Sequence, residues 1–284
     1  MPVDGSPPSW EALALALQWI RTRRRRPLAL LNVQPAIQSG LVRMHLSRLQ
    51  IETGLRTWGE DVLQPYRIAL AGEGIEHEAV VEIGHFGASI VAAAERHGCA
   101  DIVMGARGAG PIASAVLGSV ALQVAHASPS PVTLVKRKST GVPFDPVLIA
   151  VDGSATANRA VEYVVREASS SERQTTVRLL YVRSLFAVAG SADGTDSQVP
   201  EGSVLSPEAA MQEPRRLLQA AGIPYLVDIR FGDPRSAIAH AADADGCSQI
   251  VMGTRGLGAV RALMLGSVAY ATLHVANVPV TLVH

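Results

Sequence analysis

Gly105, Gly108, Gly118 and Ser119 recur as Gly253, Gly256, Gly266 and Ser267, each set spaced Gly-x2-Gly-x9-Gly-Ser behind an apolar Ile-Val-Met run. In an open α/β sheet, ligands collect at the carboxyl ends of the strands, where both sets begin. The first two glycines let a backbone turn sharply and approach a ligand with no Cβ in the way. The Gly-Ser pair falls where a helix should start, with free N–H groups, the positive end of the dipole and a hydroxyl. Such a terminus suits a phosphate. The other reading of the same spacing is a strand-to-helix turn that needs small residues for its own geometry, and the spacing leaves both open.

Asp4 and Asp152 are the carboxylates nearest in kind to this chemistry, each in a Val-Asp-Gly-Ser tetrad. Asp152 could hold Mg²⁺ beside phosphates, hydrogen-bond a base or ribose, or cap the following helix. The chain has no Gly-x4-Gly-Lys-Ser/Thr, no dinucleotide glycine fingerprint, and neither His-Glu-x2-His nor Cys-x2-Cys, so P-loop and zinc chemistry are not indicated. Arg107 and Arg255, inside the glycine loops, either reach phosphate or stand in solvent. Arg23 to Arg26 read as a solvated helix end rather than a nucleic-acid patch. Cys99 and Cys247 read as buried, inert thiols, and His126 and His274 as packed residues at helix ends.

The elements that must present these residues come in two copies. Val3-Asp4-Gly5-Ser6 returns as Val151-Asp152-Gly153-Ser154, 148 positions on, and Gly98–Val135 aligns without gaps to Gly246–Val283 at the same displacement. The copies are read as domains 1–138 and 146–284, joined by a charged, Gly- and Pro-containing linker within 136–146. In the second copy, Val147 to Val151 reads as a strand buried on both faces, followed by a helix with Val161, Val164, Val165 and Ala168 on one stripe. Strands over 176–182, 225–231, 249–252 and 280–283 alternate with helices over 207–221, from Pro234, and over 266–276. Strand–helix alternation of this kind implies a parallel, doubly wound sheet in each copy. The first copy repeats the order, with a helix over 9–21 whose stripe is Leu13, Leu17 and Ile20. Its first strand is reduced to the residues before Asp4, one of them proline, and is expected to be weak or absent. Residues 183–205, rich in Gly and Ser, read as a flexible insertion.

Composition bounds the rest. The chain has 284 residues, 48% hydrophobic and only 4% aromatic, and its 25 basic and 25 acidic residues cancel. No net field draws in nucleic acid or an anionic membrane. No apolar run reaches the roughly 18–20 residues of a membrane span. No leader pattern indicates secretion, and two cysteines fit a reducing cytosol, so a cytoplasmic location is expected.

Val-Asp-Gly-Ser closing the first strand, Ile-Val-Met-Gly-x-Arg-Gly, Leu-Gly-Ser-Val and Pro-Val-Thr-Leu-Val together resemble the universal stress protein family, in its tandem-domain form. The resemblance covers the chain apart from 35–60 and 183–205. It implies, in each copy, a five-stranded parallel sheet of order 3-2-1-4-5. The last strands would pair across a pseudo-twofold axis, so that one chain mimics a family dimer. The glycine spacing is that of the family's ATP-binding members. Phosphates and ribose would then contact Gly253, Gly256, Gly266, Ser267 and Val268, with the adenine near Ala150, Asp152, Val182 and Met252. In the first copy the matching positions are Gly105, Gly108, Gly118, Ser119 and Val120, with Asp4 and Val33. The implied ligand is ATP, with or without Mg²⁺, in a stress-response or signalling role with a protein partner. A slow ATP-hydrolysing enzyme and a nucleotide-free scaffold are the competing readings, and association of two chains is left open. The second copy is expected to be the better site, because its intact first strand presents Asp152 from a rigid scaffold, whereas Asp4 would be poorly ordered beside the chain end.

Overall fold

The computed structural model describes residues 1–22, 27–37, 45–108, 117–137, 144–183, 205–257 and 265–284. The basic run 23–26, most of the linker, the insertion over 184–204 and the loop residues 109–116 and 258–264 lie outside them. The chain divides into one unit of Met1–Ala16 with Arg25–Val135, and another of Leu17–Arg24 with Lys136–His284.

In the second unit, β5 (Val147–Ala150) is the central strand, and its apolar side chains face helices on both sides. It pairs in parallel with β6 (Val177–Arg183) and with β8 (Gln249–Gly253). The outer strands β7 (Tyr225–Phe231) and β9 (Val280–Val283) complete a five-stranded parallel order β9-β8-β5-β6-β7. This is the 3-2-1-4-5 order expected from the resemblance.

The first unit is a reduced version of the same design. β1 (Leu28–Pro35) pairs in parallel with β2 (His77–Gly84), and β3 (Ile102–Gly105) with β4 (Val132–Val135). The expected weak first strand is a single bridge, Pro2 to Leu31. The Val3 N–H donates to the Leu31 carbonyl (2.8 Å) and the Leu31 N–H to the Met1 carbonyl (3.0 Å). Pro2 stands where Ala150 stands in the second copy. Ala150 is registered with Met252 of β8. Proline has no N–H to offer on its side away from β1, so that position supplies no donor to a further ladder.

Helices α1 (Pro7–Thr22), α2 (Arg48–Gly72), α3 (Phe86–Arg96) and α4 (Ser119–Ala127) precede the second copy. Helices α5 (Ala155–Ser169), α6 (Pro207–Ala220), α7 (Pro234–Ala244) and α8 (Ser267–Val275) follow. The stripe expected on α1 needs correction. Leu13 is buried but Leu17 and Ile20 are only half-buried, while Ala12, Leu15, Ala16 and Trp19 are buried. Trp19 turns inward because its ring meets Phe144 (centroids 5.3 Å apart), which in turn meets Tyr163 (6.1 Å). On α5, Val161 and Val164 are buried as expected, but Val165 and Ala168 are half-buried and Tyr163 takes a core position.

Cys247 is buried, and burial pushes its thiol up to about 11, Arg178 and Arg230 pulling down and Asp245 pushing up. Cys99 is half-buried, so only one cysteine is the closed thiol that was expected. Because the thiolate is the nucleophile, Cys99 is expected to react with iodoacetamide at pH 8 at least tenfold faster than Cys247. Peptide mass mapping over time reads this directly, and equal rates would contradict the packing around Cys247. His274 ends α8, where burial first and then Lys136 lower its pKa, and the Lys136 ammonium donates to its carbonyl at 2.8 Å.

Candidate functional site

Both Val-Asp-Gly-Ser tetrads make the same turn. Gly153 has φ +85° and Gly5 φ +81°, a left-handed conformation that L side chains resist. In the second copy the turn sends the chain from β5 into α5. Ser154 caps that helix, accepting from the Ala157 N–H at 3.2 Å. The Asp152 carboxylate accepts the Ser154 N–H through Oδ1 (2.9 Å) and reaches across to the glycine loop, where Oδ2 accepts the Leu257 N–H (3.2 Å). The Asp4 carboxylate accepts the Ser6 N–H (3.0 Å) and hydroxyl (2.6 Å), and Ser6 in turn accepts from the Ser9 N–H in the first turn of α1. Val3 donates to Leu31 as Val151 donates to Leu180. Asp4 is therefore held by its own turn as Asp152 is, contrary to the poor order expected beside the chain end, while the second copy alone has a complete first strand.

The protein's own atoms explain much of the glycine spacing. A Cβ on Gly253 would lie 2.5 Å from Thr156 Oγ1 and 2.8 Å from that residue's backbone carbon; on Gly105 it would lie 2.9 Å from the Pro8 backbone carbon. Each strand end is thus roofed by the first turn of a helix. A Cβ on Gly256 would meet Asp152 Oδ2 at 2.5 Å, and one on Gly108 would meet Asp4 Oδ2 at 2.7 Å. The second glycine is the seat of the aspartate.

The third glycine differs. Gly118 and Gly266 occupy the N-cap positions of α4 and α8, with no side-chain cap. Ser47, Ser154, Ser206 and Asp233 cap α2, α5, α6 and α7 with their side chains. Each glycine is tied back by its own N–H to the loop, Gly118 to the Ala106 carbonyl and Gly266 to that of Thr254, both at 2.8 Å. Ser119 and Ser267 are exposed, and Val120 and Val268 half-buried. The first-turn N–H groups of both helices thus have no side-chain acceptor from their cap residue, and the helix dipole adds positive potential there.

Around the second mouth, Ala150 is registered with Met252 on β8, and Val182 lies two residues beyond Leu180, its partner on β6. These three with Asp152 stand toward the carboxyl ends of neighbouring strands. In the first copy, Val33 sits on β1 and is buried. Arg255 is exposed and Arg107 half-buried, and the loop uses their carbonyls. Ser154 and Thr156 donate to the Arg255 carbonyl, and Ser6 to that of Arg107 at 3.5 Å. Among the described residues no group of three or more His, Cys, Asp or Glu could hold a metal ion. A magnesium ion there would depend on ligand phosphates, water and the one aspartate.

Two tyrosines were missed in the sequence. The Tyr66 hydroxyl donates to Ser9 Oγ (2.9 Å) beside the Asp4 turn, and the Tyr181 hydroxyl donates to the Leu205 carbonyl (2.7 Å) beside Asp152. Burial chiefly raises both phenols. Tyr66 arrives from α2 and Tyr181 from β6, so no repeat pattern links them.

The model of the universal stress protein family matches this chain twice, over residues 1–136 and 143–284. The chain belongs to the universal stress protein family. A universal stress protein of Mycobacterium tuberculosis is 28% identical over 189 residues, covering 63% of this chain and 60% of that protein's length. A shorter universal stress protein, of Thermus aquaticus, is 33% identical over 141 residues, 49% of this chain and 98% of its own. The crystal structure of a universal stress protein from Archaeoglobus fulgidus superposes with a TM-score of 0.74 at 25% identity, covering 99% of this chain and 96% of that one. The two glycine loops therefore sit in two tandem universal stress domains. No helix among the described residues is long and apolar enough to cross a membrane.

Proposed function

We propose that this universal stress protein binds adenine nucleotide, ATP in the first instance, through the glycine-loop site whose parts recur in its domains, 1–138 and 146–284. The observation that carries the reading is the pair of glycine-capped helix starts at α4 and α8, standing at the carboxyl ends of parallel strands beside Asp4 and Asp152. The N–H groups of Ser119 and Val120, and of Ser267 and Val268, would receive phosphate oxygens. The ribose would lie over Gly105 and Gly108, or Gly253 and Gly256. The purine would lie against Val33 beside Asp4, or against Ala150, Val182 and Met252 beside Asp152. Asp4 or Asp152 would be the residue to hold magnesium, which would supply neutralising charge at the phosphates.

Binding rather than turnover is the proposed activity, in a cytoplasmic stress-response or signalling role with a protein partner. Asp4 and Asp152 each accept an N–H of their own turn, from Ser6 and from Ser154, and so serve to shape the site. Calorimetric titration with Mg·ATP and with GTP tests the reading. Saturable heat with ATP, at least tenfold tighter than with GTP, is expected, and no heat with either nucleotide would refute it.

A further inference from the structure

The same turn is open in one copy and covered in the other. No atom of the described residues lies within 4 Å of where a Cβ on Gly5 would stand. At Gly153 that position is filled by Leu205 Cδ1, and Ala210 of α6 stands behind it with Cα at 3.2 Å. The placement of Leu205 is built in. Its carbonyl accepts the Tyr181 hydroxyl at 2.7 Å, which anchors it to β6 one residue before Val182. Ser206, next in the chain, caps α6 by accepting the Ala209 N–H at 3.2 Å, fixing the backbone on the other side. Among the described residues, the first copy has no such anchor. On β1, one residue before Val33, stands Asn32, and its amide donates to the Val3 carbonyl instead (2.8 Å).

We propose that Leu205 decides which copy takes the nucleotide. Its side chain packs on Gly153, just beyond the end of β5, and its carbonyl is held by Tyr181 of β6, so a base entering over that turn would have to displace it. Among the described residues, a planar base meets no such obstacle at Gly5. The first copy, the one with the abbreviated strand, is then the working site, and Leu205 with its Tyr181 anchor holds the second closed.

This inference rests on the nucleotide reading, and the two can fail separately. Equilibrium dialysis with radiolabelled ATP counts sites per chain in wild type, Leu205→Ala, Tyr181→Phe, Gly118→Val and Gly266→Val. The expected result is one ATP per wild-type chain, lost in Gly118→Val and kept in Gly266→Val. A second equivalent is expected in Leu205→Ala, and at least a threefold gain in second-site affinity in Tyr181→Phe, which retains the ring should Leu205→Ala fold poorly. Two ATP per wild-type chain, or one that disappears in Gly266→Val, overturns the assignment to Leu205 while leaving nucleotide binding intact. No binding by any of the five proteins sinks the nucleotide reading and this inference with it.

Discussion

Replacing Gly253 with valine is expected to cost about 3 kcal/mol, the upper range for forcing atoms into a packed interior. The thermal midpoint of the second domain should fall by roughly 6–12 °C. Gly253 ends β8 directly beneath the first turn of α5. A Cβ there would lie 2.7 Å from Thr156 Cβ and 2.8 Å from the same residue's backbone carbon. A flexible side chain could swing away, but backbone cannot, so α5 must lift off the sheet. Such a lift would also pull Ser154 and Thr156 from the Arg255 carbonyl and loosen the Asp152 clasp on the loop. Gly54→Ala is the matching control, since Gly54 sits inside α2 with nothing within 4 Å. There an added methyl should stabilise by about 0.5–1 kcal/mol. Differential scanning calorimetry on both variants reads the contrast, and an unshifted midpoint in Gly253→Val would mean that α5 does not roof β8.

Gly118→Val should do the opposite, sparing the fold and removing the ligand. Gly118 has φ −79° and ψ 148°, extended backbone that valine adopts readily. The nearest described atoms to a Cβ there are the Ala106 carbonyl oxygen at 3.4 Å, Arg107 Cα at 3.5 Å and Gly108 N at 3.7 Å, ordinary contacts. The isopropyl group would stand at the N-cap of α4, over the N–H groups of Ser119 and Val120. The affinity for a fluorescent ATP analogue should weaken at least tenfold, or about 1.4 kcal/mol, with the melting curve within about 2 °C of wild type, as for a 0.5 kcal/mol change. Gly266 is tighter, with the Thr254 carbonyl 3.1 Å from its Cβ position, so Gly118 is the cleaner probe. Unchanged affinity in a well-folded Gly118→Val protein would place the ligand away from this helix start.

These two glycines show what was legible in the sequence and what was not. The strands of the second copy and the starts of α7 and α8 could be read because apolar runs and Pro234 or Gly266 mark them locally, whereas the strand order came only through the family resemblance. The glycine spacing was equally visible, but its meaning was not. One motif combines a packing glycine under a helix, a seat for an aspartate and an uncapped helix start, and only the distances separate these roles. The 25-residue helix α2 lay partly in the stretch without family resemblance, and its start at Ser47, closed by Gln50, follows a segment with little periodicity. Gly59 lets that helix press onto Val81, a contact no local pattern announces. Leu205 was beyond reach for a similar reason. It matters through Tyr181 and Gly153, which come from other elements and carry no shared motif.

The most direct measurement is a difference electron-density map from crystals grown with Mg·ATP, compared with crystals grown without nucleotide. The account expects triphosphate density within hydrogen-bonding distance of the Ser119 and Val120 N–H groups, with the base beside Asp4 and Gly5. An ordered triphosphate bound elsewhere on the chain, with both helix starts bare, would contradict it.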